Sequence, residues 1–485
     1  MRGKRWFVLL LSLALVLLTS SIGITRSSLL DVESSTGNNF QAWTSRQWTQ
    51  TTEVDFNGGT LADTMVVGTG TPASVTLAVK SGWYNTSWSR RAPVTITNSG
   101  SALTDYQVRV DVAYDADMQP DFDDIRFADA DGSTELAHWR GNYALSTSAI
   151  FWVKVPSIPS GNKTIYMYYG NDAASSASDG DATFDFFDDF SGDLSKWTID
   201  PENTDNKVYI YNGALRHDPD SSQTKNSYYD TRIITKDYKI LNGIIEYEVY
   251  LAGTARIIHQ LGWRVPSLNF ENGYCWRVQT SYGDGGHLRF TGRASWVTFG
   301  TVFPDVSANT WHTVKEVVNG SNYTGYVDGG SAYSGTDSTK LTADYLVSHV
   351  HGVSLTSSSY VLVDNIRVRQ YVSLEPTVGM GSETGMYIFP GTIASQVLDT
   401  GIDGARWDGL FWEETLPAGT NITFEVRASD SLSGGFPDAS WVPVGVPSPI
   451  TSGLPSGRYM QWRATLTTSD TSETPVLHEV IVYHY

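Results

Sequence analysis

The sequence predicts an all-β protein, built of tandem β-sandwich or jelly-roll domains after an N-terminal signal segment. Three observations carry this prediction. Beyond the first thirty residues almost no segment keeps a 3.6-residue apolar period. Short alternating or apolar runs recur instead, separated by Gly, Asn, Asp and Ser. Aromatic residues make up 12% of the chain and charged residues only 18%, a composition that buries cores and does not stay disordered. The length of 485 residues is room for several domains, at roughly 150 residues each.

Charge and cysteine content exclude some functions. A net charge of −19 repels phosphate backbones, so nucleic acid is not an expected partner. The one cysteine, Cys275, allows no internal disulfide and no thiolate zinc cage.

Residues 1–28 read as a secretory signal peptide or a signal anchor. Arg2, Lys4 and Arg5 precede an apolar run from Trp6 to Leu18, and Ser21 and Gly23 have the spacing of a cleavage site. Both readings place the rest of the chain at the cell surface or outside the cell. Membrane contact is expected only through this segment, if it stays uncleaved. Five Asn-x-Ser/Thr triplets, at Asn85, Asn162, Asn319, Asn322 and Asn421, mark expected surface positions.

Residues 29–81 are Thr- and Gly-rich and read as an extended leader, with one strand at Ser74–Val79. Within it, Asp31 to Phe40 (DVESSTGNNF) resembles the stretch after the signal in exported matrix-fibre proteins of the TasA and camelysin type.

Residues 82–172 form a compact β block. Pro93 to Asn98 and Asp105 to Asp111 alternate cleanly, and Ala149 to Val155 is nearly all apolar. Four pieces occur here in order: Trp88 to Ile96, Asp121 to Phe127, Phe151 to Pro156 and Ile165 to Asn171. Together they resemble the family called domain of unknown function 2341, found in bacterial and archaeal envelope proteins. That resemblance implies a location and no chemistry.

Residues 173–183 read as an Ala/Ser/Asp/Gly linker. Residues 184–372 follow as a run of strands long enough for a two-sheet jelly roll. The opening Phe187-Asp188-Asp189-Phe190, Asn272-Gly273-Tyr274, Trp311-His312 and Val363-Asp364-Asn365 resemble concanavalin A-like lectin/glucanase domains of the laminin-G type. Residues 373–385 read as a second linker, and residues 386–485 as an accessory β-sandwich with strands at Thr423–Ser429 and Tyr459–Leu466. A short echo links Phe56 to Ala62 (FNGGTLA) with Phe389 to Ala394 (FPGTIA).

No nucleophile elbow, zincin helix or phosphate loop occurs. Glucanases on the concanavalin-like fold use carboxylates two positions apart on one strand face, with a third nearby. Glu246-Tyr247-Glu248 has the first spacing and lacks the third acid. The alternative is that Ile245, Tyr247 and Val249 face a core and the glutamates face solvent. No catalytic residue is therefore assigned. His349 and His351 share one strand face, but two imidazoles make an incomplete metal site. Calcium is the candidate cation, through Asp188, Asp189 and Asp364, because a jelly roll pairs its first and last strands and calcium takes oxygen ligands. Asp121, Asp123, Asp124, Asp129 and Asp131 read as a solvated acidic loop without the EF-hand pattern.

Aromatic and Arg side chains supply the candidate ligand platform: Trp263, Arg264, Tyr274, Trp276, Arg277 and Trp296. Sugars stack their apolar C–H faces on such rings. Alternation puts Tyr274 and Trp276 on one face and Cys275 and Arg277 on the other, so a wet Arg277 face makes Trp276 core. The expected protein is a non-catalytic, exported envelope protein that binds a polysaccharide or other surface polymer. One rival is a fibre or surface-layer subunit whose leader adds a strand to a neighbour's sheet. The other is a carbohydrate-active enzyme with an unrecognised site.

Overall fold

The computed structural model describes residues 46–485 except 202–206, 220–223, 226–227, 254–255, 270, 293–294, 354, 356–357, 433–438 and 446–447. The signal segment 1–28 and the fibre-like stretch 31–40 lie outside the described residues. The chain forms two compact units, one of Met1–Ser81 with Gly385–Tyr485 and one of Gly82–Thr384. Strands dominate both. The described helices, Glu53–Asn57 and Gly180–Thr183, are single turns.

In the first unit the expected leader is part of the C-terminal sandwich. Arg46–Gln50 pairs antiparallel with the last strand, Val476–His484, which also pairs with Trp407–Thr415. Thr64–Val67 and Ser74–Leu77 form a hairpin beside that strand. The opposite sheet runs Thr60–Ala62, Gly391–Ala394, Tyr459–Thr468, Thr420–Ser429, Val442–Val444. The two echoing segments meet here, with Thr60 opposite Ala394 and Ala62 opposite Thr392. Few residues of 46–81 are apolar, but they are well placed. Phe56, Val75 and Leu77 enter the core beside Trp462 and Leu477. Composition alone hides this, because the strand partners lie more than 300 residues away.

The second unit opens with a small sandwich. One sheet runs Thr377–Met380, Arg90–Asn98, Gly161–Tyr169, Arg126–Ala128. The other runs Leu103–Ala113, Ser148–Ile158, His138–Ala144. Alternating residues such as Val94, Ile96, Val108, Val110, Phe151 and Val153 fill the space between them. The expected linker 373–385 thus contributes an edge strand. The linker 173–183 is pinned as well: Arg126 donates to the Ser175 carbonyl, and Asp179 caps the Gly180–Thr183 turn.

Residues 186–369 form a jelly roll of two stacked sheets. Sheet one runs Val208–Tyr211, Ala214–His217, Tyr360–Arg369, Gly243–Ala252, Trp311–Asn319, Asn322–Val327, Tyr333–Thr336, and the first strand, Phe186–Asp188, pairs with the last, Tyr360–Arg369. Sheet two runs Trp197–Ile199, Tyr228–Ile240, Asp344–Val353, Arg256–Val265, Glu271–Gln279, Gly285–Gly292, Ser295–Phe303. Ile245, Tyr247 and Val249 from sheet one meet Leu261, Trp263, Tyr274, Trp276 and Val350 from sheet two in the shared core. The small sandwich packs against the outer side of sheet one. There Arg367 lies 5.3 Å from the ring centre of Trp139, and Arg369 lies 4.6 Å from that of Trp152. Sheet two lies across the core from this contact.

Candidate functional site

The outer face of sheet two carries an ordered set of polar side chains. Its origin is the two-residue period of a strand. On Asp344–Val353, Leu346 and Val350 turn into the core, so Val347, His349 and His351 turn outward. Antiparallel register then aligns their neighbours in rows across four strands. One row is Arg232, His349, Gln260, Arg277, and the next is Asp230, His351, Ile258, Gln279. Beside them an apolar row of Ile234, Val347, Cys275 and Leu288 packs under Leu268 and Trp296.

Hydrogen bonds and close charge contacts link the first polar row. Arg232 Nε donates to Asp230 Oδ1 at 2.7 Å, and Asp200 Oδ2 lies 3.4 Å from Arg232 Nη1. Asp230 Oδ1 lies 2.8 Å from His349 Nε2. Gln260 satisfies both its ends when its amide nitrogen donates to His349 Nδ1 at 2.7 Å and its oxygen accepts from Arg277 Nε and Nη2 at 3.1 and 3.2 Å. That orientation makes His349 Nδ1 an acceptor. His351 stacks on His349 with ring centres 4.9 Å apart, and burial holds His351 well below the usual imidazole range.

The rows end at Arg277 and Gln279, two strands short of the sheet edge. Arg277 lies 4.6 Å from the ring centre of Trp296 and 3.5 Å from Asp284. Asp284 Oδ1 accepts from Arg256 Nη2 at 2.7 Å and from Gln279 Nε2 at 2.5 Å. Burial pushes the Asp284 carboxyl up, but the Gln279 bond and the charges of Arg256 and Arg277 outweigh it and hold the group low. Arg256 lies 4.3 Å from the ring centre of Tyr282, which is 79% exposed. Arg277 is only 1% exposed, so the row forms a buried floor, and Tyr282, Asp284 and Asp305 form its accessible rim. Asp200, Asp230, Asp284 and Asp305 stand against Arg232, Arg277 and Arg256, so the face is close to balanced in charge, with one acid in excess. It offers fixed donors, fixed acceptors and aromatic rings.

The six expected platform residues separate onto different surfaces. Arg277 and Trp296 share the outer face of sheet two. Trp263, Tyr274 and Trp276 are fully buried between the sheets and present no face to a ligand. This corrects the expectation for those three, and strand alternation is the reason. Arg264 is buried too. Its guanidinium donates to the carbonyls of Leu241, Lys340 and Gly320 and to the Tyr323 hydroxyl, so it ties neighbouring turns together. Asp230, Arg232, Arg256, Gln260, Gln279, Tyr282 and Asp284 were not singled out from sequence. The available signal was polar residues at alternate strand positions, as in Asp230-x-Arg232 and Arg277-x-Gln279. What was missing was the register that aligns them.

The acidic candidates have other occupations. Asp188 is buried and accepts from the Phe190 N–H at 2.9 Å and from Trp197 Nε1 at 2.7 Å. Asp364 pairs in register with Glu248, and burial, reinforced by the charges of Glu248, Asp189 and Asp188, pushes its carboxyl up to about 7. These carboxylates come near one another, yet both Asp188 oxygens are taken by protein donors. The described acids whose ligand atoms lie within 4.8 Å of one another are Asp115, Asp117 and Glu383. Asp188, Asp189 and Asp364 are not in that group.

Glu246 is no partner for Glu248 in acid–base work. It lies 3.3 Å from Arg367 and 3.5 Å from Arg369, which hold its carboxyl low against the effect of burial. In the loop expected to be solvated, Asp124 is fully buried and accepts from the backbone N–H groups of Gln119, Gly170 and Asn171. Asp123 and Asp129 instead pair with Arg140 and Lys163.

The family described as Domain of unknown function (DUF2341) matches residues 121–200. The match overlaps the second half of the block read from sequence and runs on into the start of the jelly roll. No curated protein matches the chain. Among solved structures the chain is similar to a carbohydrate-binding module (CBM66) from Bacillus subtilis, at 13% identity and TM-score 0.29, over 36% of this chain and 96% of that one. It is similar to a Bacillus licheniformis β-glucanase at 13% identity and TM-score 0.29, over 38% and 98% of the two chains. A third similarity is to the catalytic domain of an endo-1,3-β-glucanase (laminarinase) from Thermotoga petrophila, at 15% identity and TM-score 0.26, over 39% and 97%.

Proposed function

We propose that this is an exported cell-envelope protein that binds a glycan, without hydrolysing it, at the outer face of sheet two. The observation that carries the reading is the rim of that face. There the exposed Tyr282 ring and the half-buried Trp296 flank Arg256, Asp284 and Arg277, all held in fixed orientation. A sugar needs an aromatic face for its C–H groups and directional polar groups for its hydroxyls, and this rim supplies both. The balance of charges favours an uncharged sugar over a polyanion.

The non-catalytic part of the reading rests on the carboxylates. Asp200, Asp230 and Asp284 each lie within 3.5 Å of a guanidinium group. Asp284, held low by the Gln279 bond and the charges of Arg256 and Arg277, does not serve as a proton donor. As for the fibre reading, residues 46–50, 60–62, 64–67 and 74–77 of the expected leader are paired inside their own sandwich.

The test is a glycan array probed with the whole protein, followed by calorimetry on the best ligand and a reducing-end assay on the same ligand. Saturable binding without release of reducing ends is the expected result. No binding to any glycan removes the reading, and release of reducing ends replaces it with the enzyme.

A further inference from the structure

The jelly-roll core holds a cluster of polar groups that the proposed glycan face does not use. From sheet one come Tyr247 and Glu316, and from sheet two come His259, Trp263, Trp276 and His287. All are at most 1% exposed. Alternation points each of them inward: Glu316 lies between Val314 and Val318 on its strand, both core residues, and Tyr247 lies between Ile245 and Val249. Register places Tyr247 opposite Val314 and so diagonal to Glu316, while Trp276 is directly opposite His287.

The two histidines and the glutamate each have one polar atom met within the protein. His259 Nε2 lies 3.2 Å from Ser348 Oγ, which also lies 3.1 Å from His217 Nε2. His287 Nε2 lies 2.9 Å from Glu316 Oε1. The remaining atoms are Tyr247 Oη, His259 Nδ1, Trp263 Nε1, Trp276 Nε1, His287 Nδ1 and Glu316 Oε2. Each is buried, and none has a hydrogen-bond partner among the described residues. They are also close in space. The Tyr247 and His259 ring centres are 5.3 Å apart, those of Trp276 and His287 are 4.6 Å apart, and those of Trp263 and His287 are 6.5 Å apart.

Buried polar groups in folded proteins are nearly always satisfied, and leaving this many unmet is comparable to the whole stability margin of a domain. The set is mixed: the two indoles can only donate, the free Glu316 oxygen of a carboxylate can only accept, and the tyrosine hydroxyl can do both. What joins such a set must donate and accept at once, and must be small enough for a closely packed core. Water meets all three demands.

We propose that the centre of the jelly roll is a binding site for ordered internal water, held by Tyr247, His259, Trp276, His287 and Glu316, with Trp263 as a further donor. Bound there, water joins the two sheets through polar contacts at the middle of an otherwise apolar core.

The test is a crystal structure of the whole protein at 1.5 Å resolution or better, together with thermal melting of Tyr247→Phe. Discrete density within about 2.6–3.2 Å of Tyr247 Oη is the expected result, and a dry centre overturns the proposal. If crystals are not obtained, the melting decides by its sign. In a hydrated centre Tyr247→Phe removes a partner of the water and lowers the midpoint by about 2–4 °C. In a dry centre it removes an unmet hydroxyl and leaves the midpoint unchanged or raises it. The substitution keeps the ring and its packing, so a loss of fold does not confuse the result.

Discussion

Asp230 and His349 lie on neighbouring strands of sheet two, with Asp230 Oδ1 2.8 Å from His349 Nε2. That contact joins the two polar rows. His349 Nδ1 accepts from Gln260, and the Gln260 oxygen orients Arg277 beneath Trp296. A carboxylate and an indole five strands apart in the sheet are thus linked through His349, Gln260 and Arg277.

Removing that carboxylate should loosen the row. Asp230→Ala leaves His349 and the buried Arg232 short of an acceptor, at an expected cost of about 3 kcal/mol for a buried pair broken on one side. A double-mutant cycle with His349→Ala should give a coupling energy above about 0.5 kcal/mol. Chemical denaturation measures both. Additive effects contradict a connected row.

Glu246 should matter for stability and not for chemistry. It lies within 3.5 Å of both Arg367 and Arg369, and these two stack on Trp139 and Trp152 of the small sandwich. Glu246→Gln leaves the buried Arg369 with a weaker counter-charge. Melting should fall by several degrees, the equivalent of about 2–3 kcal/mol. Glycan binding at saturating ligand should stay unchanged. A variant that melts like the wild type contradicts the clamp.

Asp364 makes stability depend on pH. Its folded carboxyl titrates at about 7, against an ordinary value of 3.8. A raised value means the folded state favours the protonated form. The group's stabilising contribution is therefore complete below about pH 4 and is lost as pH rises through 7. Asp364→Asn keeps an acceptor for the Asn365 N–H and removes the charge beside Glu248 and Asp189. Its melting midpoint should exceed that of the wild type by a few degrees at pH 8, with the gap closing toward pH 5. A gap that does not change with pH contradicts the assignment.

Residues 46–81 should be needed by the C-terminal sandwich. A protein lacking them loses the strand beside Val476–His484, the hairpin carrying Val75 and Leu77, and Phe56 from the core. Amide chemical-shift dispersion from residues 386–485 should collapse in that deletion. Retained dispersion shows the segment to be dispensable.

The β class was legible because period-2 patterning survives without knowledge of partners. Ile245, Tyr247 and Val249 declared a buried face whatever lay opposite. Partner choice was the illegible part. The 46–81 strands looked like a leader because each is short and polar, and their packing depends on residues near the other end of the chain. The site was half legible for the same reason. Alternation around Cys275 already separated Arg277 from Tyr274 and Trp276, so Trp276 belonged to the core once the Arg277 face was outward. Only the folded arrangement could add Asp230, Gln260 and Asp284: the first two come from strands separated in sequence by Gly243–Ala252, and Asp284 lies in the turn after Glu271–Gln279. Arg264 misled because a buried arginine that binds carbonyl groups has the same sequence signature as one that binds a ligand.

The most direct test of the glycan face compares the wild type with Tyr282→Ala on the best ligand from the array, by calorimetry on the whole protein. Tyr282 is exposed, so its removal should leave melting unchanged. Loss of its stacking and of its contact with Arg256 should weaken binding by about tenfold, equivalent to about 1.4 kcal/mol. Equal affinity for the two proteins, with the ligand bound, would place the glycan elsewhere and contradict the account.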